Sequence, residues 1–271
     1  MSINESQTPE HVVRQVYRLV PITTLETEAQ LAIREIRNQI SVRDVMFTDQ
    51  LIGVNEHLQW VSSLKRDPSK LAFALESTSG NPLGVISLKN WERFHGTATW
   101  GYYLSETSRG MGLGTAMAYS FLDFVFDTLH IEKLNAEVIE KNEPSIEHHR
   151  RLGFENEGFR HSDVCKHGVR LGVRLFGISK NDWNQKRTDV AKRYQRIFEA
   201  VKVTILWDAG QSSLSPIDRI EEARARNNVN WMSILRLALE RSPVTAKQIV
   251  SEIKKIDQEI SALTQEVIGK N

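Results

Sequence analysis

The stretch Ser108-Arg109-Gly110-Met111-Gly112-Leu113-Gly114-Thr115 sets three glycines on alternate positions and then runs straight into an apolar helical pattern. Each glycine costs conformational entropy on folding, so the backbone here must need something that side chains forbid. Upstream, "TATWGYYLS" (97–105) alternates as a strand. Downstream, Ala116, Met117, Phe121, Leu122, Phe124, Val125 and Leu129 keep helical periodicity to about residue 130. A strand, a glycine turn and a helix in that order leave unpaired N–H groups at a helix N-terminus, where the macrodipole favours an anion. A tight turn alone is the plainer reading of the same residues. Two familiar phosphate loops are excluded: no Gly-Lys-Ser/Thr ends the run, and Thr115 and Met117 stand where a dinucleotide fingerprint would want glycine.

Around this motif the pattern alternates strand and helix. Residues 1–14 read as a flexible tail. "VYRLVPIT" (16–23) is the first strand, "TLETEAQLAIREIRNQ" the first helix, and "NEHLQWVSSLKR" (55–66) a second helix with Asn55 as its cap. Strands are expected at 70–77, 82–91 and 97–105, then at 133–140 after the glycine-headed helix. "NEPSIEHHRRLGF" (142–154) reads as a short helix with Pro144 in its first turn and Gly153 closing it. Two more strands follow, around 154–161 and 168–178, and the first domain is expected to span 15–183. Residues 184–271 read as a C-terminal helical extension. There Ile249, Ile253, Ile256, Ile260, Leu263 and Val267 form a narrow apolar seam, which suits an antiparallel helical hairpin and contact between copies of the chain.

Charge and cysteine content close off several functions. With 35 basic and 34 acidic residues the formal net charge is +1, which gives no support to nucleic-acid binding. Cys165 is the only cysteine, so neither an internal disulfide nor a thiolate metal cluster is available, and it reads as a small buried hydrophobe. No apolar run approaches the ~18 residues of a membrane span. The polar start "MSINESQTPEH" lacks the apolar core of a secretory signal, so a cytoplasmic location is expected.

Taken together, "RGMGLG" and "NEPSIEHHRRLGF" resemble the two signatures of the GCN5-related N-acetyltransferase superfamily, over roughly residues 14–183. The resemblance implies an α/β (α+β) fold, a mixed, mostly antiparallel twisted sheet flanked by helices, to which the helical hairpin is added. It implies acetyl-CoA as acyl donor and no metal. Backbone N–H groups of Gly110, Met111, Gly112, Leu113, Gly114 and Thr115, with Arg109 and Asn142, are expected to hold the cofactor. Glu137 matches the family's base position. His149, where tyrosine is commonest, matches the acid position, as proton donor or only to orient the sulfur. "IREIRNQISVRDVMF" (33–47) and "EHLQWV" (56–61) are similar to acetyltransferases of the pseudaminic acid pathway, which act on a UDP-linked 4-amino-4,6-dideoxy sugar. That likeness places Arg37 and His57 near a nucleotide diphosphate.

Plainer readings stand beside each of these. Glu137 also fits a solvent-facing residue paired with Lys133, and His148 and His149 fit a polar helix surface. Arg37 and His57 equally fit a surface charge and a packing histidine. Polyamine and ribosomal-protein N-terminal acetyltransferases share the fold and the glycine loop, and a scaffold protein working through its C-terminal arm is the alternative of another class.

Overall fold

A computed structural model describes residues 14–208, together with Arg241, Ser242 and Ser251. The framework is one eight-stranded sheet ordered β6-β7-β5-β4-β3-β2-β1-β8. Its strands are β1 (Gln15–Pro21), β2 (Leu71–Ser77), β3 (Pro82–Glu92), β4 (Thr97–Leu104), β5 (Lys133–Ile139), β6 (Glu155–Lys166), β7 (Val169–Ser179) and β8 (Val201–Ile205). Neighbours run antiparallel except β4 with β5 and β1 with β8, which are parallel.

Period-two alternation gives the sheet two apolar faces. One face carries Phe73, Ile86, Trp100, Leu134 and Phe176, which are buried with α4 (Leu113–Asp123) through Met117, Phe121 and Leu122. A π-helical turn, Phe124–Thr128, continues α4 and accounts for the periodicity reaching about residue 130. The opposite face buries Ala72, Ala74 and Val85 with Ile33 of α1 (Thr27–Asn38) and with Val61 and Leu64 of α3 (Val54–Leu64). A single turn, α2 (Ile40–Arg43), links these helices. The expected Asn55 cap is not at the helix start: Gly53 is the N-cap, and its N–H donates to the Glu56 carboxylate at 3.3 Å.

The domain does not end at residue 183. Helix α6 (Lys180–Arg193) runs through that boundary, α7 (Gln195–Ala200) follows, and β8 pairs with β1 from Gln15–Val201 to Leu19–Ile205. Trp183 is fully buried, and its Nε1–H donates to Asp123 of α4 at 2.8 Å, which locks α6 onto the core. The many charges of 184–200 mark an exposed helical surface on the sheet domain, and "VKVTI" is too short for its alternation to stand out. Cys165 is exposed rather than buried, because the alternation of β6 turns its neighbour Lys166 inward. Residues 1–13 of the tail expected at 1–14, and the residues of the apolar seam expected between 249 and 267, lie outside the described residues. No helix among the described residues is long and apolar enough to cross a membrane.

Candidate active site

The parallel ladder between β4 and β5 begins at Thr97–Lys133 and stops at Trp100–Ala136. Both strands continue, β4 on β3 as far as Leu104 and β5 on β7 as far as Ile139. The sheet therefore opens as a wedge whose two edges carry backbone groups with no strand opposite. Such groups need partners, and an extended ligand with amides of its own can supply them.

The glycine run sits at the mouth of this wedge. Gly110 and Gly112 have φ of +84° and +75°, a region closed to most side chains. Gly112 is the N-cap of α4, and its carbonyl accepts the N–H groups of Thr115 and Ala116, each at 3.0 Å. The N–H groups before Thr115 precede the helix ladder and have no partner within it. The turn thus presents consecutive donors at the positive end of a helix dipole. Leu113 is buried and Met111 exposed, so both contribute through the backbone. One Arg109 guanidinium nitrogen lies 3.2 Å from the Ser41 carbonyl and 3.3 Å from that of Leu104, bracing the turn against α2 and β4.

Helix α5 (Glu143–Arg151) forms the other side of the mouth. The Asn142 side-chain oxygen accepts the Ser145 N–H at 3.3 Å, which caps the helix and leaves the amide nitrogen for a ligand. Gly153, at φ +95°, ends it, and the N–H groups of Gly153 and Phe154 donate to Arg150 and His149 at 3.0 Å.

His149 is not positioned as an acid. It is 3 % exposed, its ring stacks on Phe176 with 5.6 Å between centroids, and Trp100 and Phe154 meet it edge-on. Trp100 Nε1–H donates to His149 Nε2 at 3.2 Å, so that nitrogen is an acceptor and carries no proton. The remaining proton is on Nδ1, which donates to the Ser145 carbonyl at 2.7 Å. Burial pushes the imidazole down to a pKa of about 4. The expected proton donor is a neutral core histidine. The reason is the face of α5 it falls on, turned into the sheet with Ile146.

The adjacent residue faces the mouth instead. His148 Nδ1 hydrogen-bonds the Tyr102 hydroxyl of β4, and its Nε2 lies 3.4 Å from Thr115 Oγ1 on the glycine turn. Burial, with the neighbouring His149 and Arg151, also brings its pKa to about 4. Burial raises the Tyr102 pKa, outweighing a hydrogen bond with Ser145, so the phenol keeps its proton. Neither residue is singled out by sequence reasoning, although Tyr102 shares its strand face with Trp100.

On the other face of the wedge, Glu137 is held between two cations. Lys89 Nζ of β3 donates to its Oε2 at 3.0 Å, and Arg160 Nη2 of β6 to its Oε1 at 2.7 Å. Burial pushes this carboxyl up, but the bonds and charges of Lys89 and Arg160 outweigh it and hold the pKa below the usual carboxylate value. An ion-paired carboxylate of lowered pKa is a weaker base than a free one, which bears on the expectation that Glu137 is the base, directly or through water. Lys133 pairs with Glu157 at 2.6 Å rather than with Glu137. Lys166, at the end of β6, donates to the carbonyls of Arg43, Asp44 and Met46 at 2.6, 3.0 and 2.6 Å, pinning the β6–β7 hairpin to the end of α2.

Arg37 and His57 lie on different helices. Arg37 is buried on α1, with Nη2 donating to Thr48 Oγ1 at 2.9 Å and to its carbonyl at 3.1 Å, while Nη1 has no partner. Burial lowers its pKa, partly offset by the nearby Tyr103 of β4. His57 continues the inward stripe of α3 with Val61 and Leu64, beside the Trp60 ring, and burial lowers its pKa as well. It packs as a neutral histidine, and its Nε2, like Arg37 Nη1, is buried without a hydrogen-bond partner.

The acetyltransferase (GNAT) domain model matches residues 18–155, half of the chain and both sides of the wedge. The chain belongs to this family. It is 31 % identical over 134 residues to the SPβ prophage-derived uncharacterised N-acetyltransferase YokL of Bacillus subtilis, covering 48 % of this chain and 73 % of that protein. It is 28 % identical over 157 residues to spermidine N(1)-acetyltransferase of Escherichia coli, covering 58 % and 84 %. The crystal structure of spermidine N-acetyltransferase from Vibrio cholerae in complex with CoA and spermine shares the fold, with a TM-score of 0.56 at 19 % identity over 59 % of this chain and 95 % of that one.

As a GNAT acetyltransferase the protein is an acetyl-CoA-dependent N-acetyltransferase. The geometry fits that donor. The positive-φ turn and its free N–H groups suit a pyrophosphate, and the wedge offers backbone partners to the amides of a pantetheine arm. Gly110 has open space where a Cβ would stand, so nothing crowds that side of the turn.

Proposed function

We propose that this acetyltransferase acylates the 4-amino group of a UDP-linked amino-dideoxy sugar, an acceptor that carries its amine beside a negatively charged diphosphate. The observation that supports this reading is the charge balance on the acceptor face of the wedge. Glu137 is neutralised by Lys89 and Arg160, Arg160 is also paired with Asp163 at 3.1 Å, and Arg37 of α1 keeps an unpartnered guanidinium nitrogen. A polyamine would need acidic groups free to receive its ammonium charges, whereas a diphosphate calls for these cations.

Bound acetyl-CoA supplies the thioester carbonyl. In this proposal Glu137 organises Lys89 and Arg160, which bind and orient the acceptor's anion. The amine sheds its first proton to water. As the new C–N bond forms and the C–S bond breaks, the nitrogen gives up its second proton to solvent, and the Tyr102 hydroxyl, fixed by His148, donates a hydrogen bond to the departing sulfur, whose proton then comes from solvent. Backbone N–H groups of 111–115 and the amide of Asn142 keep the donor in register.

The spermidine acetyltransferases among the relatives favour a second reading, in which the acceptor is a polyamine. Competition separates the two. UDP alone is expected to bind and to compete with the acceptor, and Arg37→Ala is expected to weaken it about ten-fold while leaving CoA binding intact. Failure of UDP to bind, with spermidine turned over efficiently, overturns the sugar reading.

A further inference from the structure

The junction of α6 and α7 lies beyond the residues the family model matches, yet it abuts the cofactor mouth on both sides. A Cβ on Gly112 would stand 2.8–2.9 Å from three carbons of the Ile197 side chain, so α7 lies directly against the glycine turn. From the end of α6, Arg193 Nη1 donates to the Arg151 carbonyl at the end of α5, at 2.9 Å. Between these contacts the junction forms an open pocket of about 380 Å³ lined by Lys192, Arg193, Tyr194, Gln195, Arg196, Ile197 and Glu199.

Three cations against one carboxylate, Glu199, leave this pocket positive. Lys192, Arg193 and Arg196 are all exposed. Lys192 is 3.8 Å from Asp189, a loose pairing, and Arg196 has no ion pair or hydrogen bond among the described residues. Glu199 accepts a hydrogen bond from Gln195 at 2.7 Å, and Glu147 on α5 is paired with Arg151 at 2.8 Å. A cationic pocket beside a pyrophosphate-binding turn has an evident ligand. Coenzyme A carries, besides the pyrophosphate on the 5′ oxygen of its ribose, a doubly charged phosphate on the 3′ oxygen of the same ribose.

We infer that the α6–α7 junction is a subsite for the ribose 3′-phosphate of the acyl donor, with Lys192 and Arg196 as its ligands and Arg193 as the tie to α5. The inference rests on the assignment of the donor as acetyl-CoA. Helices α6 and α7 then have a second role besides covering α4: they select the phosphorylated cofactor.

Calorimetric titration of the full-length protein with CoA and with dephospho-CoA tests this, since the two differ only in that phosphate. The wild type is expected to bind CoA about ten-fold more tightly, a preference that shrinks as salt is raised. Lys192→Glu with Arg196→Glu is expected to bring the two affinities within about two-fold by weakening CoA alone, with an unchanged circular dichroism spectrum. Equal affinities in the wild type, or a preference intact in the double variant, overturn the subsite while leaving the donor assignment standing. Tighter binding of both ligands by the variant also overturns it and makes α7 an obstruction. Binding of neither ligand removes the subsite and the donor together.

Discussion

Replacing His149 with phenylalanine distinguishes a core histidine from a catalytic one. The substitution keeps a ring among Trp100, Phe154 and Phe176 but takes away both ring nitrogens. Trp100 Nε1–H, buried and 3.2 Å from His149 Nε2, loses its acceptor. Leaving a buried donor unsatisfied costs about 1–3 kcal/mol. The bond from Nδ1 to the Ser145 carbonyl goes too, worth about 0.5–1.5 kcal/mol. Together these predict a loss of about 2–4 kcal/mol, or about 5–15 °C in Tm for a unit of this size. His149→Gln, whose side-chain oxygen can accept from Trp100, should recover part of that loss. Steady-state kinetics below the melting transition should show kcat within about ten-fold of wild type and an unchanged pH profile. A general acid would behave in the opposite way, losing about 10²–10⁴-fold in kcat with little change in Tm. That second pattern, seen in thermal melts and thiol-release kinetics together, refutes the packing assignment.

Other outcomes follow from the same geometry. His148 and His149 both have pKa values near 4 in the folded protein, against 6.5 for the free side chain. Between those values the unfolded chain binds more protons, so their stabilisation is complete above about pH 6.5 and is lost on acidification towards 4. The slope is at most about 1.4 kcal/mol per pH unit for each group. A Tm that is level from pH 7 to 8 and falls steadily below 6.5 is expected, and a Tm level down to pH 4.5 contradicts the burial of these rings. Gly112→Val forces a branched side chain into left-handed backbone and against Ile197; calorimetry should show CoA affinity reduced at least about ten-fold, and unchanged affinity would remove the turn from the site. Tyr102→Phe should lower kcat about ten- to hundred-fold with the KM for acetyl-CoA nearly constant. A kcat equal to wild type excludes the hydroxyl from the chemistry.

What could be read from the sequence were the features set by local backbone demands. The glycines at 110 and 112 are needed because φ is positive there, and Gly153 because α5 must end in a left-handed residue. Asn142 caps α5 and Gly153 ends it, so the spacing between them carries real information. Side-chain roles depending on distant strands were not legible. Glu137 is one residue on an alternating strand, and only the sheet order brings Lys89 and Arg160 to its two oxygens from 48 and 23 positions away. The choice between His148 and His149 turns on which way one short helix is rotated. His57 has the residue type of a ligand, yet its place on the α3 stripe with Val61 and Leu64 makes it core. The eighth strand was hidden because it needs β1, nearly the whole domain away in sequence, to give its five residues a partner.

In the proposed function the acceptor face of the wedge receives an anion. The most direct test is a thiol-release assay with acetyl-CoA that compares kcat/KM for a UDP-linked 4-amino-dideoxy sugar and for spermidine, in the wild type and in Lys89→Glu. The account predicts a wild-type preference for the nucleotide sugar, and a loss of about ten-fold or more for that substrate alone when Lys89 becomes acidic. Preference for spermidine in the wild type, unaffected or improved by Lys89→Glu, would contradict it and make the carboxylate of Glu137 the group that matters.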